Sequence, residues 1–327
     1  MKNFYYLHNG RSALNFVLNN YLLKRDEVIL YPDFSCDVLF QNNIENFRYD
    51  FYKIKNNFKI SLNLIKKKIT KKTKIILVIN FFGIKQNLKE LYKFCKRNKI
   101  LLILDDCHTF YNIKKSIDND CDIKFFSPSK IFDEISNGGI LQINNSSIEI
   151  VKKLENSYLY NNLILNLKRT IKNILIYEKL KFLKKRPRYE DQDFFKSKIN
   201  VNNLSLSKEN IKEIHQLDIK KENQKRINNF KFWTAICKKL KIKPLLNIKD
   251  IKHGCPLYFP ALCENKNKSK FIFDFGWKNK IDIVSWPTLH PDQKKNIKII
   301  KYWKKLVYFP MNKNFYLKKK LLNDKQF

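Results

Sequence analysis

Two short runs of apolar residues constrain the fold of this chain more than any other feature. They cover residues 75–79 (Ile-Ile-Leu-Val-Ile) and 100–104 (Ile-Leu-Leu-Ile-Leu), and neither run alternates with polar residues. Such continuous runs are typical of strands that are covered on both faces, as in parallel sheets. A helical pattern over residues 86–98 separates the two runs. The sequence therefore predicts βαβ units and an α/β protein with a mostly parallel sheet.

The remaining patterns extend this prediction along the chain. In the first half they predict strands at 27–31, 47–52, 123–126 and 139–143, and helices at 11–23 and 60–70. In the last hundred residues they predict aromatic-rich strands at 257–260, 270–275 and 282–286, and a helix near 292–305. A chain of 327 residues exceeds what one core usually supports. We therefore expect a large domain over residues 1–225 and a smaller α+β domain over 226–327.

The net charge of +36 is large, but it does not by itself indicate a nucleic-acid-binding protein. Lysine is spread along the whole chain, which favours solvated surfaces over one nucleic-acid-binding face. A field of this sign still attracts anionic substrates. The seven cysteines include no C-x-x-C pair, so neither a disulfide framework nor a metal site is predicted. The absence of a signal peptide and of a long apolar run predicts a cytoplasmic protein without stable membrane insertion.

Residues whose side chains could take part in catalysis follow the predicted strands. Asp105-Asp106-Cys107-His108 comes directly after the strand at 100–104, and Ser127-Pro128-Ser129-Lys130 follows the strand at 123–126. Gly10-Arg11-Ser12 opens a helix whose free amides suit a phosphate group. An acid, a lysine and a phosphate-binding helix start together fit pyridoxal phosphate, which needs an amine for covalent attachment and an acid near its pyridine nitrogen. The lysine must be neutral to attack, so we expect it to be partly buried.

Five segments carry a resemblance to a known family. They are NGRSALNFVL, EVILYPDFSC, TKIILVINFFG, NKILLILDDCHTF and FFSPSKIFDEISNGGILQI, in this order within residues 8–145. Together they resemble the DegT/DnrJ/EryC1/StrS sugar aminotransferases, which are pyridoxal-phosphate enzymes of fold type I in the aspartate aminotransferase superfamily. The resemblance implies a large domain with a mostly parallel central sheet and a smaller C-terminal α+β domain.

The resemblance assigns roles to three residues near the cofactor ring. It makes Lys130 the Schiff-base lysine and the carrier of the proton that moves during amino transfer. It places Asp105 beside the pyridine nitrogen and His108 near the phenolic oxygen. Asp106 is the alternative to Asp105 when residues are counted from the start of the strand. The Asp-x-x-His spacing favours Asp105.

The resemblance also implies contacts around the cofactor. The helix start at Gly10, with the amides of Arg11 and Ser12 and the hydroxyl groups of Ser12 and Ser127, is expected to hold the phosphate. Phe34 or Cys36 lies in the segment that packs on the ring, and Phe34 is the better stacking residue. Asn80 is a further candidate for the edge of the cofactor. A basic residue placed like Arg226 can reach substrate across a dimer in the family.

The function that follows is amino transfer from an amino acid, expected to be glutamate, to a keto group of a nucleotide-linked sugar. This step belongs to polysaccharide biosynthesis, and the resemblance implies a homodimer whose sites are completed by the partner chain. Two alternatives remain open. One is the same fold with altered chemistry, either a sugar dehydratase or a non-catalytic relative. The other is a basic protein that binds nucleic acid or a membrane surface.

Overall fold

The computed structural model describes residues 3–21, 26–40, 48–111, 120–135, 137–148, 189, 205–251, 254–285 and 289–315. The strands are β1 Asn3–Leu7, β2 Val28–Pro32, β3 Arg48–Tyr52, β4 Thr73–Ile79, β5 Leu101–Asp105, β6 Ile123–Phe126, β7 Gly139–Ile143, β8 Lys243–Pro244, β9 Tyr258–Leu262 and β10 Leu306–Pro310. The α-helices are α1 Gly10–Asn20, α2 Leu62–Lys66, α3 Lys89–Arg97, α4 Pro128–Ile131, α5 Lys208–His215, α6 Ile219–Lys239, α7 Ile248–Ile251, α8 Lys266–Lys278, α9 Pro291–Lys294 and α10 Ile297–Trp303. Short 3-10 helices span Asp37–Phe40 and Phe81–Gly83.

Seven of these strands form one sheet in the order β1-β7-β6-β5-β4-β2-β3. The strands β6, β5, β4, β2 and β3 are parallel, whereas β7 runs antiparallel to both β6 and β1. The predicted α/β architecture with a mostly parallel sheet is therefore confirmed. Because β7 is reversed, its first residue, Gly139, lies at the same edge of the sheet as the carboxyl ends of β1, β4, β5 and β6. The candidate site residues predicted from the sequence are gathered at this edge.

Side chains alternate between two apolar cores on the faces of the sheet. Leu101 and Ile103 of β5 pack in the core that contains α1, while Leu102 and Leu104 pack in the core under α3. The strand is buried throughout, as its continuous apolar run predicts. The same alternation decides where the polar residues that follow β5 point.

The C-terminal part of the chain forms an antiparallel three-stranded sheet in the order β10-β9-β8. The aromatic residues of this part belong to the same core as α1, and Tyr308 of β10 stacks on Phe82 with ring centroids 5.0 Å apart. Helix α6 runs without interruption from Ile219 to Lys239. The predicted domain boundary at 225 and 226 falls inside this helix, and the division into two domains stays a prediction.

The predicted strand at 270–275 is wrong, because these residues belong to helix α8. The aromatic-rich composition suggested a strand, but Asn265 caps a helix by accepting a hydrogen bond from the Lys268 N–H at 2.9 Å. The helix buries Phe273 and Phe275 and leaves Phe271 half exposed.

Two other predicted elements differ in extent. Within the described residues 282–285, Val284 forms only an isolated bridge to Tyr308 in place of the predicted strand. The predicted helix near 292–305 is divided into α9 and α10, because Asn296 starts a new helix by accepting from the N–H groups of Lys298 and Ile299. None of the helices in the described part of the chain is long and apolar enough to span a membrane.

Candidate active site

Asp105 and Asp106 are adjacent in sequence but their side chains point to opposite faces of the sheet. Asp105 continues the face of Leu101 and Ile103, which packs against α1. Asp106 continues the face of Leu102 and Leu104. Both side chains are buried, with exposed fractions of 5 % and 0 %. The two carboxyl groups therefore have different neighbours.

Asp105 lies in the electric field of Lys130. Burial raises the pKa of the Asp105 carboxyl group, and the positive charge of Lys130 acts in the opposite direction, together with hydrogen bonds from Cys107. The N–H of Cys107 donates to Oδ1 of Asp105 at 2.9 Å. The charge of the predicted lysine thus acts on the predicted acid.

Asp106 belongs to a buried polar network on the other side. It accepts hydrogen bonds from Nδ2 of Asn80 at 2.7 Å and from the hydroxyl group of Tyr111. The Nζ of the fully buried Lys124 donates to the Tyr111 oxygen at 3.0 Å, and Oδ1 of Asn80 accepts from the Gln86 N–H. The structure therefore pairs two predicted cofactor contacts, Asp106 and Asn80, with each other. Nothing in the sequence pattern indicated Lys124 or Tyr111 as their partners.

His108 is fixed against an aromatic wall. Its ring stacks on Phe82 with centroids 5.7 Å apart, and the geometry suits acceptance of the Phe82 N–H by Nδ1 at 3.4 Å. Burial and the nearby charge of Lys130 lower the pKa of His108 well below its ordinary value. The imidazole is therefore neutral at physiological pH, and a hydrogen on Nε2 follows from acceptance at Nδ1.

The start of helix α1 lies against Cys107 and Ser127. Asn9 caps the helix by accepting the Ser12 N–H at 2.9 Å. A Cβ atom built on Gly10 would lie 2.6 Å from Sγ of Cys107 and 3.4 Å from Cβ of Ser127. Glycine is therefore required for the close approach of α1 to the ends of β5 and β6. As a result, the helix start and the Ser127 hydroxyl group lie together, as predicted for a phosphate site.

Gly138 and Gly139 connect this helix start to the turn that carries Lys130. A Cβ atom on Gly139 would lie 2.0 Å from the carbonyl oxygen of Asn9, and one on Gly138 would lie 2.9 Å from Cγ of Pro128. The Gly138 N–H also donates to the His8 carbonyl at 2.8 Å. The two glycines thus allow the segment before α1 and the segment before Lys130 to pack against the same strand end.

Lys130 lies in the short helix α4, and its N–H donates to the carbonyl oxygen of Ser127 at 3.0 Å. Its side chain is exposed in the single chain, so the expectation of partial burial is wrong for the isolated subunit. Burial raises the pKa of Cys36, whereas the positive charges of Lys130 and Arg11 act to lower it. Cys36 and Arg11 therefore lie on the Lys130 side of the site.

Phe34, the expected stacking residue, is part of an aromatic cluster. It is 3 % exposed and makes edge contacts with Phe58 at 5.4 Å, Phe81 at 6.1 Å and Tyr302 at 6.3 Å. The positive charge of Lys130 acts to lower the pKa of Cys36, the other candidate in this segment.

Arg226 is completely buried and holds the lysine-bearing turn. Its Nη2 donates to the carbonyl oxygen of Ile131, next to Lys130, at 2.6 Å, and its Nη1 donates to the carbonyl oxygen of Pro256. Its Nε donates to Glu222 at 2.7 Å. A further contact from Nη1 to the carbonyl oxygen of Leu257 at 3.4 Å completes the set, so within this chain Arg226 acts as a positioning residue.

We expect Arg226→Met to lower the free energy of unfolding by about 3 kcal/mol, since it removes one partner of a buried ion pair and the hydrogen bonds to carbonyl oxygens. Urea unfolding measures this change. Lys225→Met is the matched control, because Lys225 contacts the same Glu222 from a more exposed position and should cost less than about 1 kcal/mol. Equal costs for the two variants would contradict the positioning role.

The fold and this arrangement together define the class of pyridoxal-phosphate-dependent transferases of fold type I. Residues 4–159 match the model of the DegT/DnrJ/EryC1/StrS aminotransferase family. The resemblance inferred from the sequence motifs is thus confirmed. Among curated protein sequences, none matches the chain significantly.

Solved structures agree in fold. The aminotransferase PseC of Helicobacter pylori, involved in the biosynthesis of pseudoaminic acid, is similar with a TM-score of 0.59 and 15% identity, over 94% of this chain and 81% of that one. NtdA of Bacillus subtilis, with bound cofactor PMP, gives 0.65 and 15% identity over 99% of this chain and 72% of that one. The GDP-4-keto-6-deoxy-D-mannose-3-dehydratase of E. coli, with bound hydrated PLP, gives 0.58 and 15% identity over 98% and 86%.

Proposed function

We propose that this protein is a pyridoxal-phosphate-dependent aminotransferase that moves an amino group from an amino acid to a keto group of a nucleotide-linked sugar. The observation that carries the proposal is the close approach of the α1 start at Gly10 to Cys107 and Ser127, beside the buried carboxyl group of Asp105 and the turn that carries Lys130. The family match over residues 4–159 supports the same reaction class. The net charge of +36 favours an anionic substrate such as a nucleotide diphosphate sugar.

The residues present fit the cofactor. The close approach of Gly10 to Cys107 and Ser127 brings the positive end of an 11-residue helix next to hydroxyl groups, which suits a phosphate. Asp105 provides a carboxylate for the pyridine nitrogen, and Lys130 provides the amine. When bound, pyridoxal phosphate supplies an electron sink for the carbanion at the amino acid α-carbon.

The protein residues would divide the work of amino transfer. Asp105 would hold a proton on the pyridine nitrogen, and Lys130 would bind the cofactor covalently and carry the proton released from the α-carbon. Neutral His108, with its hydrogen on Nε2, would donate to the phenolic oxygen. Asn9 caps α1. Gly138 and Gly139 keep the segment before α1 in contact with the segment before Lys130. These three residues therefore act as positioning residues.

The assembly and cellular place of the enzyme are parts of the same proposal. Lys130 is exposed in the single chain, whereas its chemistry requires exclusion of water. A homodimer in which the partner chain covers the site would supply that exclusion. We further propose glutamate as the donor, a cytoplasmic location, and a large domain over 1–225 with a small domain over 226–327.

The donor half of the reaction tests this function without knowledge of the sugar. The purified chain loaded with pyridoxal phosphate is expected to lose its yellow absorption when glutamate is added, with one 2-oxoglutarate formed per site. Aspartate and alanine, added separately, test the identity of the donor. A protein that keeps the cofactor but responds to no amino acid would contradict amino transfer. That result would favour the dehydratase or non-catalytic alternative, which the lysine at position 130 disfavours because family dehydratases tend to carry histidine there.

A further inference from the structure

A second concave surface lies away from Lys130, between the loop after β3 and the three-stranded sheet. Its volume is about 670 Å³, which is within the range of small-molecule sites. The four cationic residues that line it are Lys55, Lys243, Lys301 and Lys305. Its less polar wall includes Leu245, Leu262 and Tyr302. None of the described residues that line this cavity, which we call the lysine cavity, is acidic.

Among the described residues, the charges of the four lysines in the lysine cavity are not compensated by acidic residues, whereas some other surface lysines form ion pairs. Elsewhere, Lys68 pairs with Asp50 at 3.1 Å and Lys96 with Asp122 at 2.8 Å. For the four cavity lysines, the part of the chain that the structure describes contains no ion pair. Like charges that converge on one cavity repel each other, and a bound anion relieves that repulsion.

The walls of the lysine cavity are held by contacts between separate segments. The Tyr302 hydroxyl group donates to the carbonyl oxygen of Asn56, which joins helix α10 to the loop after β3. This loop is closed by a hydrogen bond from the Lys55 N–H to the Lys59 carbonyl at 3.0 Å. On the other side, the Leu245 N–H donates to the Pro260 carbonyl at 3.0 Å. The lysines therefore project from fixed backbone that comes from three parts of the chain.

An aromatic cluster separates the lysine cavity from the candidate active site. The Tyr302 ring lies 6.0 Å from Phe58, Phe58 lies 5.1 Å from Phe82, and Phe82 lies 5.7 Å from His108. None of the residues that we assign to the cofactor lines the cavity. A ligand in this cavity therefore occupies a site of its own.

We propose that the lysine cavity binds a small molecule that carries at least two phosphate charges. Several flexible ammonium groups around one cavity match the spread charge of a diphosphate, and lysine binds phosphate as a point charge. The wall formed by Leu245, Leu262 and Tyr302 offers an apolar surface to a nucleoside. A nucleoside diphosphate and free pyrophosphate share the required chemistry. This proposal does not depend on the amino-transfer reaction.

Two variants that each remove three positive charges distinguish binding at the lysine cavity from attraction to the general positive field of the protein. Calorimetry with pyrophosphate and with UDP is carried out on the full chain loaded with pyridoxal phosphate. The cavity variant combines Lys55→Gln, Lys243→Gln and Lys301→Gln. The control variant combines Lys89→Gln, Lys220→Gln and Lys278→Gln, which removes the same charge from exposed positions outside the cavity. All six side chains are exposed, so both variants are expected to fold, which their cofactor content and Tm verify.

The wild-type chain and the control variant are expected to bind pyrophosphate alike, and the cavity variant roughly tenfold or more weakly, as for the loss of charge-assisted hydrogen bonds. UDP that binds more tightly than pyrophosphate identifies a nucleotide, and equal affinity identifies the phosphate groups alone as the recognised part. Equal losses in both variants, or unchanged binding in the cavity variant, would overturn the proposal. Tighter binding of a single-stranded oligonucleotide that requires the same lysines would overturn it in favour of nucleic acid.

One further variant separates this proposal from the proposed enzyme function. Lys130→Ala is expected to bind pyrophosphate at the lysine cavity like the wild type, since Lys130 does not line the cavity. If the enzyme proposal is wrong and the cavity proposal is right, the chain will not catalyse amino transfer but will still bind pyrophosphate. A loss of cavity binding in Lys130→Ala would contradict the independence of the two sites.

Discussion

Replacing Lys130 with alanine is expected to lower kcat for amino transfer by at least about 10³-fold, because one side chain supplies both the covalent attachment and the proton transfer. Borohydride reduction of the cofactor-loaded wild type should fix the cofactor on the peptide that contains Lys130. The variant should show no fixation. Mass spectrometry of the digested protein identifies the labelled residue.

Lys130→Arg distinguishes the chemistry of the amine from its charge. Arginine keeps the positive charge beside Asp105 but does not deprotonate, so it cannot attach the cofactor. We expect both variants to be inactive. Only alanine removes the charge that counteracts the burial of Asp105, so only Lys130→Ala should raise the pKa of that carboxyl group further.

Lys89→Ala is the control, since Lys89 is exposed at the start of α3 and is not among the site residues. Its kcat and its label should equal those of the wild type. Fixation of the cofactor on another lysine, or full activity of Lys130→Ala, would rule out the assignment.

The sequence predicts those site residues that lie at the ends of strands. Buried strands are marked by continuous apolar runs, and parallel strands end at one edge of a sheet, so Asp105, Ser127 and Asn80 were correctly placed at that edge. The apolar run at 100–104 is covered on both faces, so its composition carries no record of which face Asp105 or Asp106 continues. The composition of the strand therefore does not distinguish the two acids.

Other outcomes depend on contacts between distant residues. Arg226 reaches the carbonyl oxygen of Ile131 across 95 positions of sequence, which no local pattern indicates. Phe34 joins Phe58 and Phe81 in an aromatic cluster, although its size suggested a ring-stacking role. The alternating phenylalanines near 273 form a helix because the Asn265 cap and the burial of Phe273 outweigh a pattern of period two.

The second large effect is expected on kcat, from substitution of an acidic residue at the end of β5. Asp105→Asn is expected to lower kcat by about 10²–10⁴-fold, since an amide cannot hold a proton on the pyridine nitrogen as a carboxylate does. Asparagine nearly matches aspartate in size, so the hydrogen bond from the Cys107 N–H to the side-chain oxygen can persist. The fold should therefore be retained, and the loss should appear in kcat and in the spectrum of the bound cofactor.

Asp106→Asn is the matched control, because it makes the same chemical change one residue away on the other face of the sheet. It removes a negative charge that faces buried Lys124 and weakens the hydrogen bonds from Asn80 and Tyr111. We expect a loss of about 1–3 kcal/mol in the free energy of unfolding, with cofactor affinity and the spectrum unchanged.

The two variants together form a crossed test of the site. Urea unfolding, cofactor titration and kcat are measured for both, so that a catalytic and a structural effect are read separately. If Asp105→Asn loses stability while Asp106→Asn loses the cofactor spectrum, the assignments are reversed. In that case the cofactor would have to lie on the face of β5 that carries Asn80 and Lys124, away from Gly10 and Ser127. The close approach of Gly10 to Cys107 and Ser127 argues against that location, because it places the start of α1 on the Asp105 side.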